Sequence, residues 1–124
     1  MSIEEENKAM VRRFYDLDNR REKDAQYILI APECVFHTPY ADMSVKQFKK
    51  FDSLFYVAFP DIHATIVDII AEGDMVAFRV SVKGTNTGEF MGNAPTDKKF
   101  EITNSNWVRI TNSKLVEYWA TSDR

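Results

Sequence analysis

The sequence predicts an α+β domain, and three observations carry that expectation. Apolar residues recur at helical spacing at Ile3, Met10, Val11, Phe14 and Leu17, and again at Val45, Phe48, Phe51, Leu54, Phe55 and Ala58. From Ile62 onward the period changes to two, in segments rich in β-branched residues. The two kinds of element are segregated along the chain rather than alternating. The packing this implies is a bent, mostly antiparallel sheet wrapped around N-terminal helices. At 124 residues the chain forms one domain, residues 1–124, large enough for a real core and too small for two.

Each element has a local reason. Ser2, followed three residues on by Glu5, reads as a capping box that starts the first helix. A second, short helix is expected near residues 24–29, with Pro32 as its stop. Cys34, Val35 and Phe36 read as a short strand ending at His37, Thr38 and Pro39. Ser44 and Gln47 form another capping box ahead of a helix that Pro60 ends. Residues 63–71 and 75–83 are strands joined by a tight turn at Glu72, Gly73 and Asp74. Residues 99–110 and 115–121 are two more, joined at Asn112 and Ser113.

Composition narrows the function classes. Forty-four percent apolar and 28% charged is ordinary globular composition, and a net charge of −3 provides no basic surface for nucleic acid or an anionic membrane. Arg12 with Arg13, and Arg20 with Arg21, lie beside acidic residues and read as solvated helix faces. Cys34 is the single cysteine, so no intrachain disulfide forms; that fits a reducing cytosol and a small core residue. The acidic start lacks an apolar leader core, and no run of about 20 apolar residues occurs. The expectation is a soluble, cytoplasmic protein.

The connection across residues 84–96 holds Gly84, Gly88, Gly92 and Pro95, yet also Phe90 and Met91, which a plain solvent turn would not need. Its apolar tip suggests a flap over a cavity or a contact with a second subunit.

Alternation sorts the strands into two faces. One collects Val76, Phe78, Val80 and Val82, then Phe100, Ile102, Asn104, Asn106 and Val108, then Val116, Tyr118 and Ala120. This face should meet the helices. Asn104, Asn106 and the Tyr118 hydroxyl are its polar exceptions; they line a cavity or satisfy one another. Tyr15 and Phe51 are expected to complete that cavity from the helices. The opposite face carries Leu115, Glu117, Trp107 and Trp119. Two tryptophans there suggest a homodimer interface, or cover by a terminal segment. His37 is the candidate acid–base residue, although a lone histidine is more often structural. His63 should be exposed. Two distant histidines without a carboxylate at ligand spacing argue against a metal site, and no phosphate or dinucleotide glycine motif is present.

The 84–96 segment, together with Phe59, Pro60 and Asp61, Glu72, Gly73 and Asp74, the run from Lys114 to Trp119, and the stretch from Lys8 to Tyr15, resembles the SnoaL-like polyketide cyclases of the NTF2-like superfamily. The likeness extends over nearly the whole chain. It implies the cone-shaped NTF2-like fold and a reaction without a cofactor. An aspartate takes a proton from a carbon beside a carbonyl, and the pocket stabilises the enolate during an intramolecular aldol closure. The substrate implied is a small, mostly apolar, ketide-like carbonyl compound.

The resemblance also sets problems. The expected aspartate falls at Ala120, which cannot abstract a proton. The histidine of the loop motif appears as Asn86, and a pocket histidine appears as Asn106; neither titrates. Asp123, three residues past Ala120, is the substitute base if the backbone swings it inward; His37 is the other candidate. Phe90 and Met91 would contact substrate from the loop. The competing reading is a non-catalytic module binding a small hydrophobic ligand, and a third is a structural dimer without a ligand.

Overall fold

The computed structural model describes residues 1–121. Three helices and six strands follow in the order α1 (Ile3–Asn19), α2 (Lys23–Ile28), β1 (Ile30–His37), β2 (Asp42–Met43), α3 (Val45–Ala58), β3 (His63–Glu72), β4 (Met75–Thr85), β5 (Lys99–Thr111) and β6 (Lys114–Trp119). One sheet holds all six strands in the order β2-β1-β6-β5-β4-β3. It is curved and unclosed. β1 and β6 run parallel; the other neighbours are antiparallel. α1 packs on β3 and β4, and α3 packs on β1.

The helix starts form as the sequence implies. The Ser44 hydroxyl accepts from the Gln47 amide at 3.2 Å, and the Ser44 amide donates to Gln47 Oε1 at 2.9 Å. At Ser2 only the first half of that exchange forms, because the Glu5 carboxylate turns to Lys8 at 2.9 Å. Val11, Phe14 and Leu17 are buried on α1, while Ile3 at its start is exposed. Leu54 is also exposed, at the edge of the α3 stripe.

Two expectations about the strands need correction. Pro32 does not stop a helix. α2 ends at Ile28, and Pro32 lies inside β1, where five steps from Ile30 to Val35 match only two on β6. A proline lacks the amide a regular ladder needs, so it sits in this irregular stretch. Leu115 faces inward, not outward. A bulge at Val116 separates the pairs Arg109 with Glu117 and Ile110 with Leu115, so Leu115 joins Ile110 in the core at 1% exposure.

The core lies between α1 and the inner face of the sheet. Val11, Phe14, Phe36, Val76, Phe78, Val80, Val108, Ile110 and Leu115 are buried there, with Cys34 among them. Burial pushes the Cys34 thiol up to about 12, so it behaves as an inert apolar residue.

The connection from β4 to β5 does not close over the interior. It clamps the end of α3. The Ala58 carbonyl, which the helix leaves without a partner, accepts from the Thr87 and Gly88 amides, both at 3.1 Å, and from Asn86 Nδ2 at 3.2 Å. A Cβ on Gly88 would stand 1.9 Å from the Val57 carbonyl oxygen, so only glycine fits this approach. Asn86 also closes the loop base: its amide reaches Lys98, its carbonyl accepts from Asp97, and its Oδ1 accepts from the Thr96 amide at 2.9 Å.

Candidate functional site

The sheet curves away from α3 and leaves a cavity of about 720 Å³ between α1, α3 and the inner faces of β1, β4, β5 and β6. Phe36, Phe48, Phe51 and Phe55 form one wall, and Val80, Val82 and Ile102 form the other. The rings of Phe36 and Phe48 stack at 3.9 Å, which fixes α3 against β1. The size and the apolar lining suit a small organic molecule.

The polar groups on this wall are few and convergent. Tyr15 and Tyr118 are hydrogen-bonded hydroxyl to hydroxyl. Asn106 Nδ2 donates to the Tyr118 hydroxyl at 3.2 Å, and Asn106 Oδ1 accepts from the Thr121 amide at 3.1 Å. Desolvation raises the pKa of both tyrosines above the ordinary phenol value, so each stays protonated. The pair then holds two hydroxyl protons and uses one between its members. The other is left for an acceptor in the cavity. Asn104 Oδ1 is buried with no hydrogen-bond partner among the described residues, although Asn104 lies on the cavity wall.

Asp52 on α3 is the one carboxylate lining the cavity among the described residues. Its Oδ2 accepts from the Tyr27 hydroxyl at 2.7 Å and pairs with Lys23 Nζ at 2.8 Å. Lys23 also bonds Asp18 Oδ1 at 2.7 Å, and Asp18 accepts from Tyr56 and Gln26. Desolvation raises the Asp52 pKa, against the opposing pull of Lys23 and Tyr27.

Of the residues singled out from the sequence, Asn104, Asn106, Tyr118, Tyr15 and Phe51 stand together on the cavity wall, and Ala120 stands beside them. Asp123 lies outside the described residues. His37 is not on that wall. It pairs with Trp119 across the β1–β6 seam and points to the outer face, where Nδ1 meets Asp42 at 2.8 Å and Nε2 meets Glu117 at 2.6 Å. The strand runs one residue further than expected, and alternation places His37 opposite the inward Phe36. Phe90 and Met91 are also absent from the wall. Phe90 packs behind it, against Phe55 and Phe59 at ring distances of 5.1 and 5.7 Å, and Met91 is 56% exposed.

Asp52 escaped the sequence reading. Its signal was its place four residues after Phe48 and one after Phe51, which puts it on the apolar face of α3. On the outer face, Trp107 and Trp119 form a cross-strand pair with stacked rings 6.0 Å apart, and His37 stacks on Trp119 at 5.5 Å.

A curved, unclosed sheet around helices and an apolar cavity defines a protein of the NTF2-like class. AclR from Streptomyces galilaeus, provisionally described as a hydroxylase, superposes with a TM-score of 0.87 at 29% identity, over 95% of this chain and 89% of that one. IdmH from Streptomyces antibioticus, provisionally described as a polyketide cyclase, gives 0.85 at 31% identity, over 94% and 91%. A SnoaL-like protein from Jannaschia sp. CCS1 shares the fold at a TM-score of 0.86 and 18% identity, over 99% and 89%. No curated protein matches the sequence. The sequence profile of the SnoaL-like polyketide cyclases matches residues 8–124, and the chain belongs to that family.

Proposed function

We propose that the cavity takes a small, mostly apolar, ketide-like carbonyl compound and that the protein acts on it as a cofactor-free cyclase or isomerase. The observation that carries this reading is the hydroxyl-to-hydroxyl Tyr15–Tyr118 pair, whose surplus proton is presented within a mostly apolar wall. A carbonyl oxygen accepts such a proton, and an enolate oxygen accepts it more strongly, which lowers the barrier to removing a neighbouring carbon-bound proton. Asn104 Oδ1, without a partner, would accept from a substrate hydroxyl. Asp123 stays a candidate base by chain position.

One observation favours the non-catalytic alternative. The position where the family resemblance expects its base is Ala120, on the cavity wall. The two readings separate with β-tetralone, a bicyclic ketone with acidic carbon-bound protons. The enzyme reading expects saturable binding and faster deuterium exchange beside the carbonyl than in buffer, by proton NMR in D₂O. Tyr118→Phe should weaken binding or slow exchange about 5- to 30-fold, the equivalent of one hydrogen bond. Binding without exchange supports the binding module. Neither binding nor exchange overturns both.

We also propose that the outer Trp107–Trp119 face meets a second copy of the chain. Trp107 is 38% exposed although stacked, a poor end state for an indole in water. Sedimentation of the wild type and of Trp107→Lys at micromolar concentration tests it. A monomeric wild type overturns it.

A further inference from the structure

We infer that Asp52 is the general base of the cavity, its Oδ1 taking the carbon-bound proton while Tyr27 and Lys23 hold Oδ2. This deepens the reading of the cavity above and rests on it. Three features of the geometry lead there. Asp52 is a carboxylate on the cavity wall, and its side chain keeps 18% exposure. The hydrogen bond from Tyr27 and the ion pair with Lys23 both fall on Oδ2, so they orient the group and leave Oδ1 outside those contacts. The carboxylate and the hydroxyl pair also line the same cavity.

Base and oxyanion donor are thus supplied by different elements, α3 on one side and α1 with β6 on the other, with the cavity between them. The Asp52 carboxylate takes a proton from the carbon beside the carbonyl. The C–H electron pair becomes the enolate double bond, and the carbonyl π pair moves onto oxygen, where the surplus tyrosine proton meets it. The enolate carbon then bonds to a second carbonyl carbon of the same molecule. The alkoxide so formed takes the proton back from Asp52, and the closure is a net isomerisation.

The groups that face Asp52 set its titration. Lys23 and Tyr27 from α2 favour the charged form, and Asp18 from α1 opposes it, as does burial. Tyr56 on the same helix and Tyr118 from β6 lie within its field. Burial outweighs the lysine, so the carboxylate is a stronger base than an exposed one.

The test uses nitrobenzisoxazole, whose ring opening reports a carboxylate base without needing a carbonyl. The base removes the ring C–H proton, that electron pair becomes part of the nitrile, and the N–O bond breaks to leave a coloured cyanonitrophenolate. Wild-type protein should accelerate this reaction, with a rate that falls as acid protonates Asp52. Asp52→Asn, which still accepts from Tyr27 and Lys23, should lower it about 10²-fold. Lys23→Met keeps the carboxylate and should move the pH inflection upward, a change that a merely structural ion pair would not produce. Glu117→Gln, on the outer face, should leave the rate unchanged. The inference is overturned if the wild type is no faster than acetate at equal concentration, if Asp52→Asn matches the wild type, or if the loss follows Asp123→Asn instead. β-Tetralone binding that survives in Asp52→Asn keeps the cavity reading apart from this one. Lost tetralone binding with intact, Asp52-dependent ring opening would sink the carbonyl reading alone.

Discussion

The inner and outer faces of the β1–β6 seam each gather a small polar cluster, and the two have opposite chemical capacity. Outside, His37 stands between Asp42 and Glu117, with both ring nitrogens engaged and Trp119 stacked on the ring. The histidine is the residue type usually sought as an acid–base group, yet the two carboxylates occupy its nitrogens and leave neither for a substrate. Inside, Tyr15, Tyr118 and Asp52 are less promising by type. Desolvation makes the phenols permanent donors and the carboxylate a stronger base. Spare hydrogen-bonding capacity in a dry place, not residue identity, separates the inner face from the outer one.

Adjacent residues on β1 provide the largest test of that contrast. Phe36 is fully buried on the inner face, and Val35 is 38% exposed on the outer one. Phe36→Ala should cost about 3–5 kcal/mol in urea unfolding, and Val35→Ala, at a protein concentration low enough to keep the chain monomeric, no more than about 0.5 kcal/mol. A Val35→Ala cost rivalling that of Phe36→Ala, and growing with protein concentration, would show the outer face covered by another chain. The contrast would then be one of two interiors.

A smaller effect is expected at Asn106, whose amide ties the Tyr118 hydroxyl to the Thr121 backbone. Asn106→Leu should destabilise by about 1–3 kcal/mol by stranding that amide and hydroxyl. It should also perturb tetralone binding, whereas Glu117→Gln outside should leave binding intact. A binding loss in Glu117→Gln would break the separation of the faces.

The smallest effect depends on pH. Hydrogen bonds to Glu117 and then Asp42 raise the His37 pKa above its usual value. A raised histidine contributes stability that is complete below its unfolded pKa of about 6.5 and is lost as pH rises through the folded pKa. The melting temperature of the wild type should therefore exceed that of His37→Gln by more at about pH 6 than at about pH 9. An equal difference at both values would mean the pairing does not favour the imidazolium.

The sequence displays the fold more openly than the site, for reasons visible in single residues. Ser44 and Gln47 act within one turn, so their capping exchange can be read locally, and the change of period at Ile62 marks the sheet. Alternation places Asn104, Asn106 and Tyr118 on one face because the ladder from Asn104 to Val108, the partner of Tyr118, carries no bulge. It failed at Leu115, because the bulge at Val116 shifts the parity of everything before it. His37 is the last residue of β1, so the same alternation sets it on the outer face, and a strand ending before it hides that. Asp52 was hidden by sorting α3 into apolar and polar faces, which discards a carboxylate on the apolar side. Its partners Lys23 and Tyr27 come from another helix and leave no local trace.

The clamp at Asn86 has a further consequence in polymer terms. Its bonds to Thr96, Asp97 and Lys98 close the base of the connection, so the ten-residue step from Asn86 to Thr96 is a closed loop hung on the end of α3. Closure entropy depends only logarithmically on length, so doubling such a loop costs about 0.6 kcal/mol. This loop can therefore lengthen or shorten at small thermodynamic cost while Asn86 and Gly88 keep its anchor on α3. The helix carrying Asp52, and α1 and β6 carrying the tyrosines, need not move. The length of this loop and the lining of the cavity are thereby free to vary independently.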